Sequence, residues 1–281
     1  MIPLFLSLVA VYLILTLIFT YILHDYPRRP VLDPPDWGRV LDTRIPTVNN
    51  KSLEVWRIEP DGPSKGIVVF AHGWTRNRDR MISRARMFGR WGYATVIHSA
   101  RDHGGSSPQH GMNALRFAED IEAVLSWIGE PAILYGHSAG SGGAIIAAWQ
   151  NPDKVKLLFM EGVYPSVEEM LTSLFRWYSR SFSVFFGRMI LFWMKLFYRS
   201  RVEALSPARL APELKMPVMI IHGEKDGRFP LSFAFALKEK LPPESSDIFI
   251  GKGANHSGSS KAPGYEAAVL RFLEKHRDQN G

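Results

Sequence analysis

The chain is 281 residues long, 46% hydrophobic and 22% charged, with a formal net charge of +7; that suffices for one α/β domain carrying an insertion. It has no cysteine, which excludes disulfides, a cysteine nucleophile and thiolate metal sites. The positive charge would suit nucleic acid or an anionic membrane surface, but no zinc-finger, RNP or basic recognition-helix pattern supports the first, so a membrane partner is expected and nucleic acid is not.

The first predicted element is apolar. Ile2 to Leu23 carries no charged residue and has about the length of a helix that crosses a bilayer. A cleaved signal peptide is the competing reading, but no Lys or Arg precedes the run, it is long for a signal core, and no A-x-A site follows. Residues 1–24 therefore read as an uncleaved transmembrane anchor. Arg28, Arg29, Arg39 and Arg44 all follow the run, which by the positive-inside tendency places the bulk of the protein in the cytoplasm. Residues 25–36 hold Pro27, Pro30, Pro34 and Pro35 and predict a stiff linker that stands the globular part, residues 37–281, away from the membrane.

Thr43–Val48 and Leu53–Ile58, joined through Asn49-Asn50-Lys51, predict an antiparallel hairpin. Ile67–Phe70 then opens a series of short apolar runs, continued at Ala94–Ile97, Ala132–Tyr135, Val155–Met160, Val218–Ile221 and Asp247–Ile250, of the kind found in strands covered on both faces. Helical segments fall between and after them, at Met81–Trp91, Ala114–Ile128, Gly140–Trp149, Leu231–Lys240 and Tyr265–His276. Such alternation predicts a mostly parallel sheet with helices on both faces.

At Ile133–Gly143 an apolar run ends in G-x-S-x-G, Gly136-His137-Ser138-Ala139-Gly140, and passes directly into small aliphatic residues. Strand, tight turn and helix make a nucleophile elbow, which projects the Ser138 hydroxyl from a strained corner while the flanking glycines allow close backbone approach. The helix that follows aims its free N–H groups at the same point, where negative charge would develop on a substrate. An alcohol is a poor nucleophile at neutral pH, so Ser138 needs a base within hydrogen-bond reach and a third group to orient that base. Two later segments offer candidates. Val218–Ile221 leads through His222-Gly223-Glu224-Lys225 to Asp226, with Glu224 as a rival acid and a plain Asp-Gly turn as the alternative. Asp247–Ile250 leads to His256, otherwise a surface-loop histidine.

This order of elements, with His72-Gly73-Trp74 after the first parallel strand, the Ser138 elbow and the later Asp and His, resembles the α/β-hydrolase family from about Thr43 to Arg277. Within it the chain is similar to the esterase, monoacylglycerol-lipase and serine-aminopeptidase-like branch. The resemblance implies the chain order nucleophile, acid, base: Ser138, then Asp226 as the orienting carboxylate, then His256 as general base and later acid. It also implies an oxyanion hole built from the backbone N–H groups of Trp74 and Ala139, with Gly73 permitting the turn and His72 a structural loop residue. Ser99 to Ser106 partly matches the Arg-Gly-His-Gly-x-Ser pattern of related hydrolases and departs from it at Asp102. His98, Asp102, His103 and His110 cluster in sequence but lack metal-binding spacing, so neither metal nor cofactor is expected. His137 reads as a packing residue of the elbow.

The same resemblance puts a helical cap at the insertion, about residues 166–207. The insertion is rich in aromatics, with Arg176, Arg180, Arg188, Lys195, Arg199 and Arg201 interspersed, and its apolar residues occupy more than one helical face. Membrane contact or a greasy acyl pocket is expected beside ordinary packing. Gly187 marks a break between two helices. A second span over Phe182–Tyr198 is disfavoured by Arg188 and Lys195.

The expected activity is that of a membrane-anchored serine hydrolase cleaving lipid-derived carboxylic esters through an acyl-enzyme on Ser138. A peptidase or amidase using the same triad, and a non-catalytic scaffold of this fold, are the alternatives.

Overall fold

The computed structural model describes residues 2–24, 26–198 and 201–277; Arg199 of the cap, and the side chains of Tyr198 and Arg201, lie outside what it describes. The chain begins with helix α1 (Ile2–Ile22) and enters the sheet through the hairpin β1 (Arg39–Thr47) and β2 (Lys51–Glu59). There follow β3 (Ile67–Ala71), α2 (Ile82–Arg90), β4 (Ala94–His98), α3 (Ala114–Ile128), β5 (Ala132–His137), α4 (Ala139–Gln150) and β6 (Val155–Glu161). A helical insertion comes next: α5 (Val167–Tyr178), α6 (Arg180–Phe182), a π turn at Ser183–Gly187, α7 (Arg188–Tyr198), α8 (Arg201–Ala204) and α9 (Pro207–Leu210). Finally β7 (Val218–Gly223), α10 (Leu231–Lys238), β8 (Ser246–Gly251) and α11 (Tyr265–Arg277) complete the domain.

The eight strands form one sheet in the order β1-β2-β4-β3-β5-β6-β7-β8. β2 pairs antiparallel with β1 and β4, and every other pairing is parallel. Strands β3, β4, β5 and β7 are buried at every position, which is why they read as unbroken apolar runs rather than as alternations. Their side chains nonetheless alternate between two cores. Val69, Leu134 and Ile220 join a core with α3, α4 and α10, while Val68, Phe70 and Tyr135 join one with α2 and α11. The hairpin starts at Arg39, four residues before the sequence suggests, because Arg39–Asp42 is exposed on the edge strand and has no apolar side to reveal it.

Sheet order reverses around β3, whose neighbours are β4 on one side and β5 on the other. The carboxyl ends of these parallel strands are where an open α/β sheet leaves a crevice. Ala71 pairs with Gly136, His137 with Glu161, and Glu161 with Ile221, so the loops after β3, β5, β6 and β7 emerge side by side.

Helix α1 is turned inside out relative to a helix of a water-soluble core. Its buried side chains are the polar Thr16 and Thr20, whereas Ile2, Leu4, Phe5, Leu6 and Leu8 are each more than half exposed. Thr16 accepts a hydrogen bond from Trp193 Nε1 at 2.9 Å, and Tyr12 Oη donates to Phe185 O at 2.8 Å, so α1 lies against the cap. The linker does not stand free: Arg28 Nη1 donates to Ser106 O at 2.8 Å, Leu32 N to Asp79 Oδ2 at 2.6 Å, and Asn77 Nδ2 to Pro30 O at 2.9 Å. Proline stiffness here lays the segment along the domain surface instead of holding the domain away.

The cap also departs from expectation at Gly187. The chain breaks between helices at Ser179, whose side chain caps the next turn by accepting from Phe182 N, and then runs helically through Gly187 into α7. Gly187 is buried, and an added Cβ there would meet Phe175 Cδ2 at 3.2 Å. The missing side chain serves close helix approach, not a break.

Candidate active site

Ser138 follows β5 directly and is held at φ 56°, ψ −119°, a left-handed region costly for a residue with a side chain. Neighbouring contacts impose it. Ser138 N donates to Glu161 O at 2.8 Å, while Ser138 O accepts from Ser141 N at 2.9 Å and from Ser141 Oγ at 2.7 Å. The two flanking glycines have no room for a Cβ: one on Gly136 would sit 2.5 Å from Gly140 O, and one on Gly140 would meet the carbonyls of Ala71 and His72.

His256, in the loop after β8, faces Ser138 with Nε2 3.0 Å from Oγ, and its Nδ1 lies 2.7 Å from Asp226 Oδ2. With Nδ1–H donated to the carboxylate, Nε2 is left to accept the serine proton. Asp226 Oδ1 accepts from Arg228 N at 2.9 Å and Phe229 N at 3.0 Å. Burial alone would push the Asp226 carboxyl up; the hydrogen bond and charge of His256, with the Phe229 N–H, carry it below the usual carboxylate value. It therefore stays ionised. Glu224, the rival acid, is exposed and turned away, accepting from Gly253 N at 2.7 Å. The Phe229 ring meets His256 edge-on, with centroids 4.7 Å apart.

The loop after β3 closes the other side. An added Cβ on Gly73 would stand 3.0 Å from Ser138 Cβ, so a glycine is what lets this loop reach the serine. His72 is fully buried, donating from Nδ1 to Gly73 O at 2.7 Å and accepting from Ala100 N at Nε2, 3.0 Å. It ties the loops after β3 and β4 together. Trp74 and Ala139 stand beside Ser138 on the wall of one cavity, both packed on Ala100, Met112 and Phe117.

Behind the nucleophile lies a buried charged network. Arg84 grips Glu161 with two bonds of 2.5 Å, and Tyr135 Oη donates to Glu161 Oε2 at 2.8 Å. Burial works against the Glu161 carboxylate, but Arg84 outweighs it and brings the group down to about 2. His137 is held neutral by burial, pushed down to about 3, and its Nε2 donates to His256 O at 3.1 Å. So the residue next to the nucleophile also steadies the loop that carries the imidazole.

The four groups that cluster in sequence from the end of β4 onward have different surroundings. His98 is enclosed in the sheet, and His103 donates from Nδ1 to Arg101 O at 2.8 Å while Tyr26 Oη lies 2.8 Å from its Nε2. Asp102 has φ 63°, a conformation that favours Gly and that Asp tolerates, and it pairs with Arg28 of the linker at 3.1 Å. His110 stacks near Tyr21, centroids 4.5 Å apart.

Ser138 and His256 open onto a cavity of about 700 Å³. Its walls are mostly apolar, from Leu174, Phe182 and Leu191 of the cap and from Phe19 and Leu23 at the end of α1.

Comparison with known proteins agrees with this architecture. The family described as serine aminopeptidase, S33, matches residues 62–204, just over half of the chain. The chain belongs to that α/β-hydrolase family. An esterase of Pyrococcus furiosus has the fold of this S33-family chain with a TM-score of 0.72 at 15% identity, over 90% of this chain and 99% of its own. A membrane phospholipase A, described as a bacterial virulence factor, matches with a TM-score of 0.66 at 16% identity, over 85% of this chain and 87% of its own. Among curated relatives, a bifunctional esterase/perhydrolase of Acinetobacter calcoaceticus is 29% identical over 35% of this chain and 37% of its own. An sn-1-specific diacylglycerol lipase of Mus musculus is 33% identical over 35% of this chain and 33% of its own. The matched stretch thus spans about a third of these relatives' length.

Sequence reasoning about this S33-family member placed Ser138, Asp226, His256, Trp74 and Ala139, and the fold brings all five together. It missed Phe19, Leu23 and His24 on the cavity wall. A signal existed: Tyr12, Thr16, Thr20 and His24 recur every four residues, a polar stripe on an otherwise apolar helix.

Proposed function

We propose that the protein is a membrane-anchored serine hydrolase that cleaves carboxylic esters of apolar, lipid-derived acyl groups through an acyl-enzyme on Ser138. In the first half-reaction Ser138 Oγ attacks the ester carbonyl while His256 Nε2 takes its proton, and Asp226 stabilises the imidazolium that forms. The oxyanion is held by the N–H groups of Ala139 and Trp74, each such donor contributing about 2.7–4 kcal/mol to transition-state stabilisation. His256 then returns the proton to the departing alcohol, and water, activated by the same imidazole, frees the acid and restores Ser138.

The observation that carries this reading is the Ser138–His256–Asp226 chain of hydrogen bonds on an apolar cavity of about 700 Å³. Lipid esters are favoured by the greasy walls, by the diacylglycerol lipase and a monoacylglycerol lipase of Mycolicibacterium smegmatis among the relatives, and by the membrane phospholipase among the neighbours. Anchoring is supported by α1, which is 21 residues long, uncharged, and exposes its apolar side chains; the arginines after it favour a cytoplasmic domain.

An S33 peptidase reading asks for a free carboxylate to hold a substrate ammonium. The cavity wall carries two carboxylates, Glu168, which Lys195 Nζ pairs at 2.5 Å, and Glu203, so the walls alone do not decide between ester and amide. Kinetics on p-nitrophenyl esters against aminoacyl anilides separate the two. The esters should turn over faster, and Ser138→Ala should lower kcat/KM by about ten-thousandfold or more. Faster anilide cleavage would overturn the ester assignment.

A further inference from the structure

The membrane helix reaches the catalytic cavity, and its placement there is fixed by directional bonds. Along one face of α1, Tyr12 bonds Phe185 O at 2.8 Å, Thr16 accepts from Trp193 at 2.9 Å, Thr20 Oγ1 donates to Thr16 O at 2.8 Å, and His24 Nδ1 donates to Thr20 O at 3.0 Å. The contacts to Phe185 and Trp193 are polar bonds between a lipid-embedded helix and the cap, which set rotation and depth where greasy packing alone would let the helix turn. That rotation sends Phe19 inward. Its ring meets Phe182 and Phe186 at centroid distances of 5.6 and 5.2 Å, and it lines the Ser138 cavity together with Leu23.

Depth gives the consequence. At 1.5 Å per residue, the 21 residues of α1 span about 32 Å, close to the hydrocarbon thickness of a bilayer. Phe19 and Leu23 then lie at the boundary between acyl chains and headgroups, the level at which a glycerolipid carries its ester carbonyls. A cavity walled there by α1 on one side and by Leu191 and Met194 of α7 on the other can be filled from the bilayer, with no passage of the chain through water.

We infer that the anchor is part of the substrate site: an acyl chain enters along the seam between α1 and α7, and Phe19 and Leu23 set the chain length accepted. The inference rests on the ester-hydrolase reading, and its test keeps the two apart. Full-length protein in phospholipid nanodiscs is compared with Leu23→Trp, Phe19→Ala and a lipid-facing control, Ile14→Ala, on p-nitrophenyl acetate, octanoate and palmitate. Fluorophosphonate labelling of Ser138 is followed in parallel as a check on folding.

Leu23→Trp should lower the palmitate-to-acetate ratio of kcat/KM by about tenfold or more while Ser138 is still labelled. Phe19→Ala should move the preference toward longer chains, and Ile14→Ala should leave the profile unchanged. A chain-length profile identical in all four proteins, with labelling intact, would reduce α1 to a scaffold and overturn the inference. Wild-type protein that neither labels nor cleaves any ester would instead sink the hydrolase reading.

Discussion

His98 is a buried imidazole with no hydrogen-bond partner for either ring nitrogen among the described residues, and burial alone holds its pKa down to about 4 from an ordinary 6.5. Between those values the unfolded chain takes up a proton that the folded chain refuses. The stability attached to neutral His98 is therefore complete above about pH 6.5, falls as pH drops toward 4, and changes no further below that. A shift of this size corresponds to roughly 3 kcal/mol. Thermal unfolding in detergent should show His98→Leu losing less stability than the parent between about pH 7 and pH 4.5; equal slopes would contradict the assignment. Ser138 is the opposite case, a residue in a costly conformation that its surroundings over-determine. Its strained position was legible because G-x-S-x-G demands that backbone, and the motif stands in the sequence. The Arg84–Glu161 pair behind it was not, because 77 residues separate the partners and neither sits in a motif.

At the scale of elements, the buried parallel strands were legible because two-sided burial demands continuous apolar residues, and their ends located Asp226 and His256. Gly187 was misread because glycine weakens a helix in isolation, yet here its bareness admits Phe175. The linker was misread for a similar reason: proline content fixes stiffness but says nothing of what the stiff segment lies against. Gly140 tests how tightly β3 and α4 are joined. A methyl there would strike the carbonyls of Ala71 and His72, backbone atoms that the sheet cannot move cheaply. Gly140→Ala should cost about 1–3 kcal/mol of stability and depress kcat by pushing Trp74 away from Ser138. Wild-type kcat and Tm in that variant would show the elbow to be looser than its contacts indicate.

Over the whole molecule, one sheet edge gathers a serine, an imidazole and a carboxylate from the loops after three different strands, and a cap and an apolar helix roof them. Hydropathy marked that helix only as a candidate anchor. Its place on the cavity wall was hidden because its cap partners lie far along the chain, Phe185 being 173 residues from Tyr12. Everything proposed for the site depends on Ser138 being an activated nucleophile. The direct measurement is fluorophosphonate labelling of the folded, full-length protein, with the modified residue mapped by mass spectrometry in the parent, Ser138→Ala and His256→Ala chains. The expected result is a single adduct on Ser138 in the parent, none in Ser138→Ala, and labelling slowed by about a thousandfold or more in His256→Ala. A folded parent chain that stays unlabelled, or one labelled at another residue while Ser138→Ala still hydrolyses esters, would contradict it.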